Sequence, residues 1–316
     1  MRKKKKGFFL LGCALILSEM AVQAEETKPL RAVIFYQEDT WIQDINIMHQ
    51  IAQSIQKNLE DHPEVALSCY GTENMSIVEA IKATLHMKAD VILCHGMDSE
   101  DARAGYQNLQ EQGIQIIMVD GDVKDSGRFA YIGTDNYEGG VQAAKTVLEE
   151  KGKEAKIAVL APSLTTGLRS VGARLDGFED AAEEKEMNIT AYCETTYDSL
   201  TAIQNIEQLL KSNPDLEVLF CAEAVSGQAA AEVVEEFELQ DQMMVITYDR
   251  NQRIEEKLKN GTIDLTFAQN TEEIGKACAE QLIAMAADCK MEQGKDVLFE
   301  CIPTTLQELE EEKDES

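Results

Sequence analysis

The chain has 316 residues, 44% of them hydrophobic, and a formal net charge of −29 at pH 7. That length exceeds what one growing core fills, so two lobes of roughly 130 residues each are expected. So acidic a balance argues against nucleic acid and anionic membrane surfaces as partners, because phosphate binding depends on clustered Lys and Arg releasing counterions.

Arg2 and Lys3 to Lys6 precede an apolar run from Gly7 to Leu17, and Val22-Gln23-Ala24 offers a cleavage site before Glu25. Residues 1–24 therefore read as a signal peptide or membrane anchor, and the mature protein as exported. Leu10-Leu11-Gly12-Cys13 also resembles a lipid-attachment site, although Ala14 to Leu17 stay apolar beyond it. An uncleaved anchor is the third option, with a run shorter than the ~20 residues a spanning helix needs.

From Leu30 onward, short apolar runs alternate with amphipathic stretches, the rhythm of right-handed βαβ units with buried parallel strands. The first series is strand Leu30 to Tyr36, helix Ile45 to Leu59, strand Val65 to Tyr70, helix Ile77 to Met87, strand Val91 to Cys94, helix Ala102 to Glu111 and strand Ile114 to Val119. Asp135 then caps a helix to about Lys151, with Gly139-Gly140 permitting close packing behind it. The second series continues with strand Ile157 to Leu160, helix Gly172 to Lys185, strand Asn188 to Cys193, helix Ser199 to Lys211, strand Val218 to Cys221, helix Gly227 to Phe237 and strand Met243 to Tyr248. Two such series predict an α/β fold of two doubly wound parallel-sheet lobes, with the loops at the strands' carboxyl ends facing a common cleft. The tail, residues 308–316, is almost wholly charged and reads as disordered.

The cysteines are Cys13, Cys69, Cys94, Cys193, Cys221, Cys278, Cys289 and Cys301, with no zinc-type spacing. Buried thiols are expected at Cys94 and Cys221, while a disulfide among Cys278, Cys289 and Cys301 stays open. No metal and no cofactor is expected. Neither is catalysis, because no nucleophile and base can be paired, and the histidines are only His49, His62, His86 and His95.

Certain residues in order carry a resemblance. They are Asp120 at the end of an apolar strand, the stretch Tyr131-Ile132-Gly133-Thr134-Asp135-Asn136-Tyr137-Glu138-Gly139-Gly140, Arg174 before Gly177-Phe178, Tyr248-Asp249, and Ala268-Gln269. At these spacings the chain resembles the type I periplasmic, ribose-binding-like family of sugar and solute receptors, from about Arg31 to about Thr304. The resemblance implies a hinge of three crossings near Gly133, Gln269 and Val297. Lobe 1 would then be residues 30–133 with 270–297, and lobe 2 residues 134–268 with 298–307.

It also implies that Asp120, Asp249 and Gln269 hydrogen-bond the ligand; read alone, they are a turn aspartate, a helix cap and a hinge amide. Trp41 falls where the family stacks an aromatic on the ligand, or else staples the following helix. Tyr248 is a second aromatic candidate or a strand-end core residue. His95 stands where relatives carry a small polar group, or is a solvated loop histidine. The departures are Gly121, where relatives follow the aspartate with arginine, and Arg169 as the nearest substitute for a second pocket arginine. Arg174 matches a family arginine that is more often structural, and the strand-end amide of relatives falls at Ala222 or Glu223. If Asp120, Glu223 and Asp249 all face the cleft, the pocket is acidic and favours an amine-bearing ligand over a simple pentose.

The expected protein is a monomeric, extracytoplasmic receptor that closes on a small polar ligand, sugar-like or cationic, and delivers it to the permease of an ATP-driven importer. A ligand-sensing subunit for a sensor kinase or chemoreceptor is the alternative. An exported interaction module without a pocket is the alternative of another class.

Overall fold

The computed structural model describes residues 28–37, 47–72, 75–162, 169–288 and 293–314. The expectations placed on the leader, on Trp41 and on Cys289 lie outside the described residues.

Twelve strands run β1 (Leu30–Gln37), β2 (Val65–Thr72), β3 (Val91–His95), β4 (Gln115–Val119), β5 (Ala130–Thr134), β6 (Lys156–Ala161), β7 (Asn188–Glu194), β8 (Val218–Cys221), β9 (Met244–Tyr248), β10 (Leu265–Ala268), β11 (Val297–Phe299) and β12 (Ile302–Thr304). They form two six-stranded sheets, β11-β5-β4-β3-β1-β2 and β12-β10-β9-β8-β6-β7. Within each the first five strands follow the order 2-1-3-4-5, so the second sheet repeats the first. Among these pairings β12 alone runs antiparallel to its neighbour. Strands β4, β8 and β9 are buried almost end to end. That is why they read as continuous apolar runs and not as alternating ones.

The helices are α1 (Ile47–Asn58), α2 (Ile77–Thr84), α3 (Glu100–Glu111), α4 (Asn136–Lys151), α5 (Arg169–Glu184), α6 (Ser199–Ser212), α7 (Ala224–Glu236), α8 (Gln252–Lys259), α9 (Thr271–Ala287) and α10 (Leu306–Asp314). They cover both faces of each sheet and bury four apolar clusters, two per sheet. Ser76, Ser99, Asp135, Asp198 and Asn270 open helices by accepting first-turn amides. Gly140 lets α4 lie directly on α5, since a Cβ there would meet the Arg174 carbonyl oxygen at 2.1 Å.

The chain passes between the sheets after Thr134, after Ala268 and after Phe299. Helix α4 packs on α5 beside the second sheet, and α9 packs on α1 beside the first. The register Leu298↔Gly133 and Phe299↔Thr134 keeps residues 298 and 299 with the first sheet. The last crossing therefore falls at Glu300 and Cys301, beyond the Val297 boundary expected from sequence. Cys278 and Cys301 are free, buried thiols in the cores of different sheets, so no disulfide joins them. Cys94 and Cys221 are likewise free and buried, and burial alone pushes the Cys94 thiol up to about 12.

The tail is a correction. Residues 306–314 are helical, with Glu308 accepting from the Thr305 backbone amide at 2.8 Å. Leu309 is 2% exposed, in the cluster that holds Ile254 and Leu258 of α8. Its charged neighbours form the solvated face of an amphipathic turn, which composition alone cannot separate from disorder. Leu309→Ala is expected to cost about 2–4 kcal/mol, the range for emptying a buried leucine site. Chemical denaturation measures this, and a change near zero would mean the helix does not contribute to the core.

Candidate functional site

The repeat of the sheets makes β4 and β9 equivalent strands, and each ends in an aspartate on a left-handed backbone: Asp120 at φ 64° and Asp249 at φ 65°. A side chain in that region costs of order 1 kcal/mol and persists only where the surroundings fix it. Here they do. The Asp120 carbonyl accepts from Tyr131 Oη at 3.0 Å and Asn136 Nδ2 at 2.9 Å, and the Asp249 carbonyl accepts from Thr266 Oγ1. The bend turns both carboxylates off the strand ends, and both residues are more than nine-tenths buried.

Arg174, 2% exposed, is the cation of this cluster. Its Nε donates to Asn136 Oδ1 at 2.8 Å and its Nη1 to the Ala222 carbonyl at 3.1 Å. The Nη2 atom lies 3.9 Å from Asp249 Oδ1, and the guanidinium sits 4.2 Å over the Tyr248 ring. Gln269 Nε2 donates to the same Asp249 oxygen at 2.8 Å, and Thr134 Oγ1 donates to Gln269 Oε1 at 2.7 Å. The first two crossings are thus bonded to each other and to a site carboxylate. On the other side His95 Nε2 lies 3.3 Å from Asp120 Oδ2 and 3.0 Å from Ser170 Oγ at the start of α5. Two buried polar atoms, Asp120 Oδ1 and His95 Nδ1, have no hydrogen-bond partner among the described residues. Such atoms are costly to bury unless something polar meets them.

The charges are not equivalent. Burial pushes the Asp120 carboxyl up, but the hydrogen bond and charge of His95, with Arg174 behind, outweigh it and hold the group below the ordinary aspartate value. Burial dominates at Asp249 and raises it, against Arg174 and Gln269. Glu223 is raised by burial as well, against its bonds to Ser226 and Val225, with the Asp249 charge adding to the rise. Burial lowers the Arg174 value, but Asp249 and Asp120 more than reverse this, so the guanidinium stays charged.

Of the residues singled out by sequence, Asp120, Asp249, Gln269 and His95 are brought together. Glu223 is placed beside them, but not as a free carboxylate: its oxygens accept from Val225 N at 2.6 Å and Ser226 N at 2.7 Å, capping α7. The helix therefore starts at Ala224, ahead of the Gly227 expected, because a glutamate reaches around to cap where Ser, Thr, Asp or Asn is the usual signal. Tyr248 is fully buried between Phe220 and Phe267, under Arg174, so it is a core residue and no platform facing the cleft. Arg169 opens α5 half-buried, where its charge reaches Asp98 on the loop after β3.

Asn136, Thr134, Ser170 and Tyr197 were not singled out. Asn136 was in view within Thr-Asp-Asn, but only its neighbour Asp135 reads as a cap; its amide in fact bonds Asp120 and Arg174 at once. Tyr197 follows β7 with about half its surface exposed, its phenol held above the ordinary value by burial around the hydroxyl and then by the Glu223 charge. No motif marks it. Among the described residues no cluster of His, Cys, Asp and Glu is arranged to hold a metal ion, and no helix is long and apolar enough to cross a membrane.

Comparison with known proteins matches residues 33–290 to the family model described as periplasmic binding protein domain. The ribose import binding protein of Bacillus subtilis is 24% identical over 200 residues, 63% of this chain and 64% of that protein. The chain thus aligns with somewhat under two thirds of the length of such curated relatives. Among solved structures, the glucose-galactose binding protein from Geobacillus stearothermophilus superposes with a TM-score of 0.77 at 22% identity, covering 88% of this chain and 96% of that one. A solute-binding protein from Burkholderia graminis in complex with D-arabinose gives 0.79 at 19%, covering 90% and 97%. A chain of the XylFII–LytSN complex gives 0.75 at 19%, covering 89% and 99%.

Removing the guanidinium would leave Asp120 and Asp249 buried without their shared counter-charge. Arg174→Met is expected to destabilise the fold by about 3–5 kcal/mol at pH 7, as for a broken buried ion pair. The sign with pH follows by linkage. Asp249 and Glu223, both raised, favour the fold fully below the ordinary carboxylate range and lose that contribution as pH rises through their raised values. Asp120, lowered, contributes above the ordinary aspartate value and loses it as pH falls through its lowered one. Without Arg174 Asp120 is expected to join the raised class, so the deficit should narrow between pH 7 and pH 4. Denaturant melts at both pH values measure it; an equal deficit would locate the contribution in packing on Tyr248 instead.

Proposed function

The chain belongs to the periplasmic binding protein domain family, and from that premise we propose that it is an extracytoplasmic receptor that traps a small polar solute between its two lobes. The observation that carries this is the pair of unpartnered buried atoms, Asp120 Oδ1 and His95 Nδ1, beside two strand-end aspartates and a hinge glutamine. Acceptors fixed at set angles with a half-exposed tyrosine alongside suit a sugar-like solute, whose vicinal hydroxyls need directed partners and whose ring has an apolar face. In this reading Tyr197 supplies the aromatic face on the second lobe, and Trp41, the aromatic that the sequence offers shortly after β1, is the candidate from the first. The resemblance to proteins named for ribose import, and to folds bound to D-arabinose, supports the class of solute.

The acidity of the cleft decides between neutral and amino sugars. Glu223 is bonded to its helix, so among the described residues of this cluster Asp120 and Asp249 stand against the Arg174 guanidinium. That is a smaller need for a cationic ligand than three free carboxylates would create, and a neutral polyhydroxyl solute is the first choice. An amino sugar should bind more tightly as pH rises and Asp249 ionises, whereas a neutral sugar should show little such gain. Calorimetric titration with D-ribose, D-galactose and D-glucosamine at pH 5 and pH 7.5 distinguishes them.

Delivery of the solute to an importer permease is the role proposed, supported by the relatives named as import binding proteins. A signalling role is the second reading, favoured by the same fold occurring in the two-protein XylFII–LytSN complex. Loss of solute uptake on gene deletion supports import; loss of transcriptional induction with uptake intact supports sensing. Asp249→Asn should weaken binding roughly 10- to 100-fold, the worth of a hydrogen bond to a charged group, while leaving the protein folded. A solute at a hundred times its dissociation constant should stabilise the wild type by about 2.7 kcal/mol. No thermal shift with any solute present in a cell extract would favour an interaction module without a pocket.

A further inference from the structure

Gly121 follows Asp120 where a side chain would ordinarily extend, and the His95 ring lies in that place. A Cβ on Gly121 would meet His95 Cε1 at 2.5 Å and Nε2 at 2.8 Å. The two loops are also tied by the backbone, with Gly96 N donating to the Gly121 carbonyl at 2.9 Å. The imidazole is therefore seated by the absence of a side chain one residue beyond the aspartate. It presents two edges. The Nε2 edge meets Asp120 Oδ2 on its own lobe and Ser170 Oγ on the facing lobe. The Nδ1 edge is buried and unpartnered, as is Asp120 Oδ1.

We propose that His95 is the closure and specificity residue of this receptor, its Nε2 edge latching the first lobe to Ser170 of the second while the unpartnered Nδ1 and Asp120 Oδ1 select a solute that carries hydrogen-bond donors. The proposal rests on the receptor function proposed above and adds to it the residue that reads the solute. A solute carrying two donor groups, hydroxyl or amine, can meet both atoms, each group donating one hydrogen. A solute with a single donor, or with an acceptor such as a carboxylate at that place, leaves one of them unmet. The latch has a separate consequence. Because Nε2 bonds Ser170 directly, separating the lobes must break this contact, and its loss lowers the cost of opening.

The two edges can be removed one at a time. The amide of glutamine reaches where Nε2 lies and that of asparagine where Nδ1 lies, so His95→Gln keeps the latch and loses the reading edge, and His95→Asn does the reverse. In small-angle scattering of solute-free protein, His95→Asn and Ser170→Ala should have a larger radius of gyration than wild type, and His95→Gln should match wild type. Identical radii for all four proteins would overturn the latch. Calorimetry with D-ribose, D-galactose, D-glucosamine and D-galacturonate reads the second edge. His95→Gln should change the ratio of affinities for at least two of these by tenfold or more. Affinity ratios unchanged in His95→Gln while Asp249→Asn abolishes binding would overturn the specificity role and leave the receptor function standing. Binding unchanged in both variants would overturn the site itself. If the wild type binds none of the four probes, the scattering comparison alone decides the latch, and the choice of a sugar-like donor pair is overturned.

Discussion

One buried guanidinium shared by two strand-end aspartates governs the cleft. Asp120 belongs to the first sheet and Asp249 to the second, yet the Arg174 charge acts on both, lowering the one and opposing the rise of the other. Arg174 itself is anchored wholly on the second lobe, by Ala222, Tyr248 and Asp249, and on α4 by Asn136. Its attraction for Asp120 is therefore an inter-lobe force that requires no solute. Asn136 reinforces it, since the same amide donates to the Asp120 carbonyl and accepts from Arg174. A buried amide with both ends bonded fixes geometry as well as charge. Asp120 thus keeps its position relative to the guanidinium through hydrogen bonds at the first hinge crossing, while Gln269 at the second holds Asp249.

The contacts around the cleft fall into two kinds under a hinge motion. Those between hinge strands and the second lobe, Thr134 to Gln269 and Gln269 to Asp249, lie at the pivot and survive rotation. The one between His95 and Ser170 joins a strand end of one sheet to a helix on the other, and rotation must break it. A receptor needs this division. In the proposed receptor the pivot would hold the solute's acceptors in place while the severable contact would set the cost of separating the lobes, a balance that a solute shifts only by its differential contacts with the two arrangements.

The sequence displayed the architecture because the physics behind it is local. Parallel strands buried on both faces become apolar runs, and Asp135 and Asp198 stand where first-turn amides need acceptors. Asp120, Asp249 and Gln269 stand out because each closes an apolar run at a position matching the resembled family; read alone, each is an ordinary turn, cap or hinge residue. What was hidden depends on direction or on distance. Tyr248 sits on β9 immediately before Asp249, and only the left-handed turn at Asp249 sends the carboxylate to the cleft and leaves the ring in the core. Glu223 was visible as an acid but not as a cap, since its reach to Val225 and Ser226 depends on a rotamer. Ser170 carries no signal of its own; its role exists only because α5 faces the end of β3 across the cleft. Thr305 and Glu308 have the spacing of a capping box, a signal that outweighs the charge of the tail once Leu309 is seen one residue later.

The strain at this site argues for binding over simple structure. Left-handed aspartates at two equivalent positions, each with its carbonyl held in place, and carboxyls raised by burial at Asp249 and Glu223, all work against stability. A scaffold relieved of any ligand would lose such features readily, because most substitutions there relax strain or remove a buried charge. Gly121 and His95 show how a change in chemistry is accommodated on the fold. A position without a side chain leaves room for a ring from the neighbouring loop, so the group that meets Asp120 need not come from the next residue in the chain. A side chain at 121 would be costly while His95 stands, since any Cβ there collides with the ring. Gly121 and His95 are thus coupled sterically, and the hydrogen bond to Ser170 extends that coupling to the other lobe.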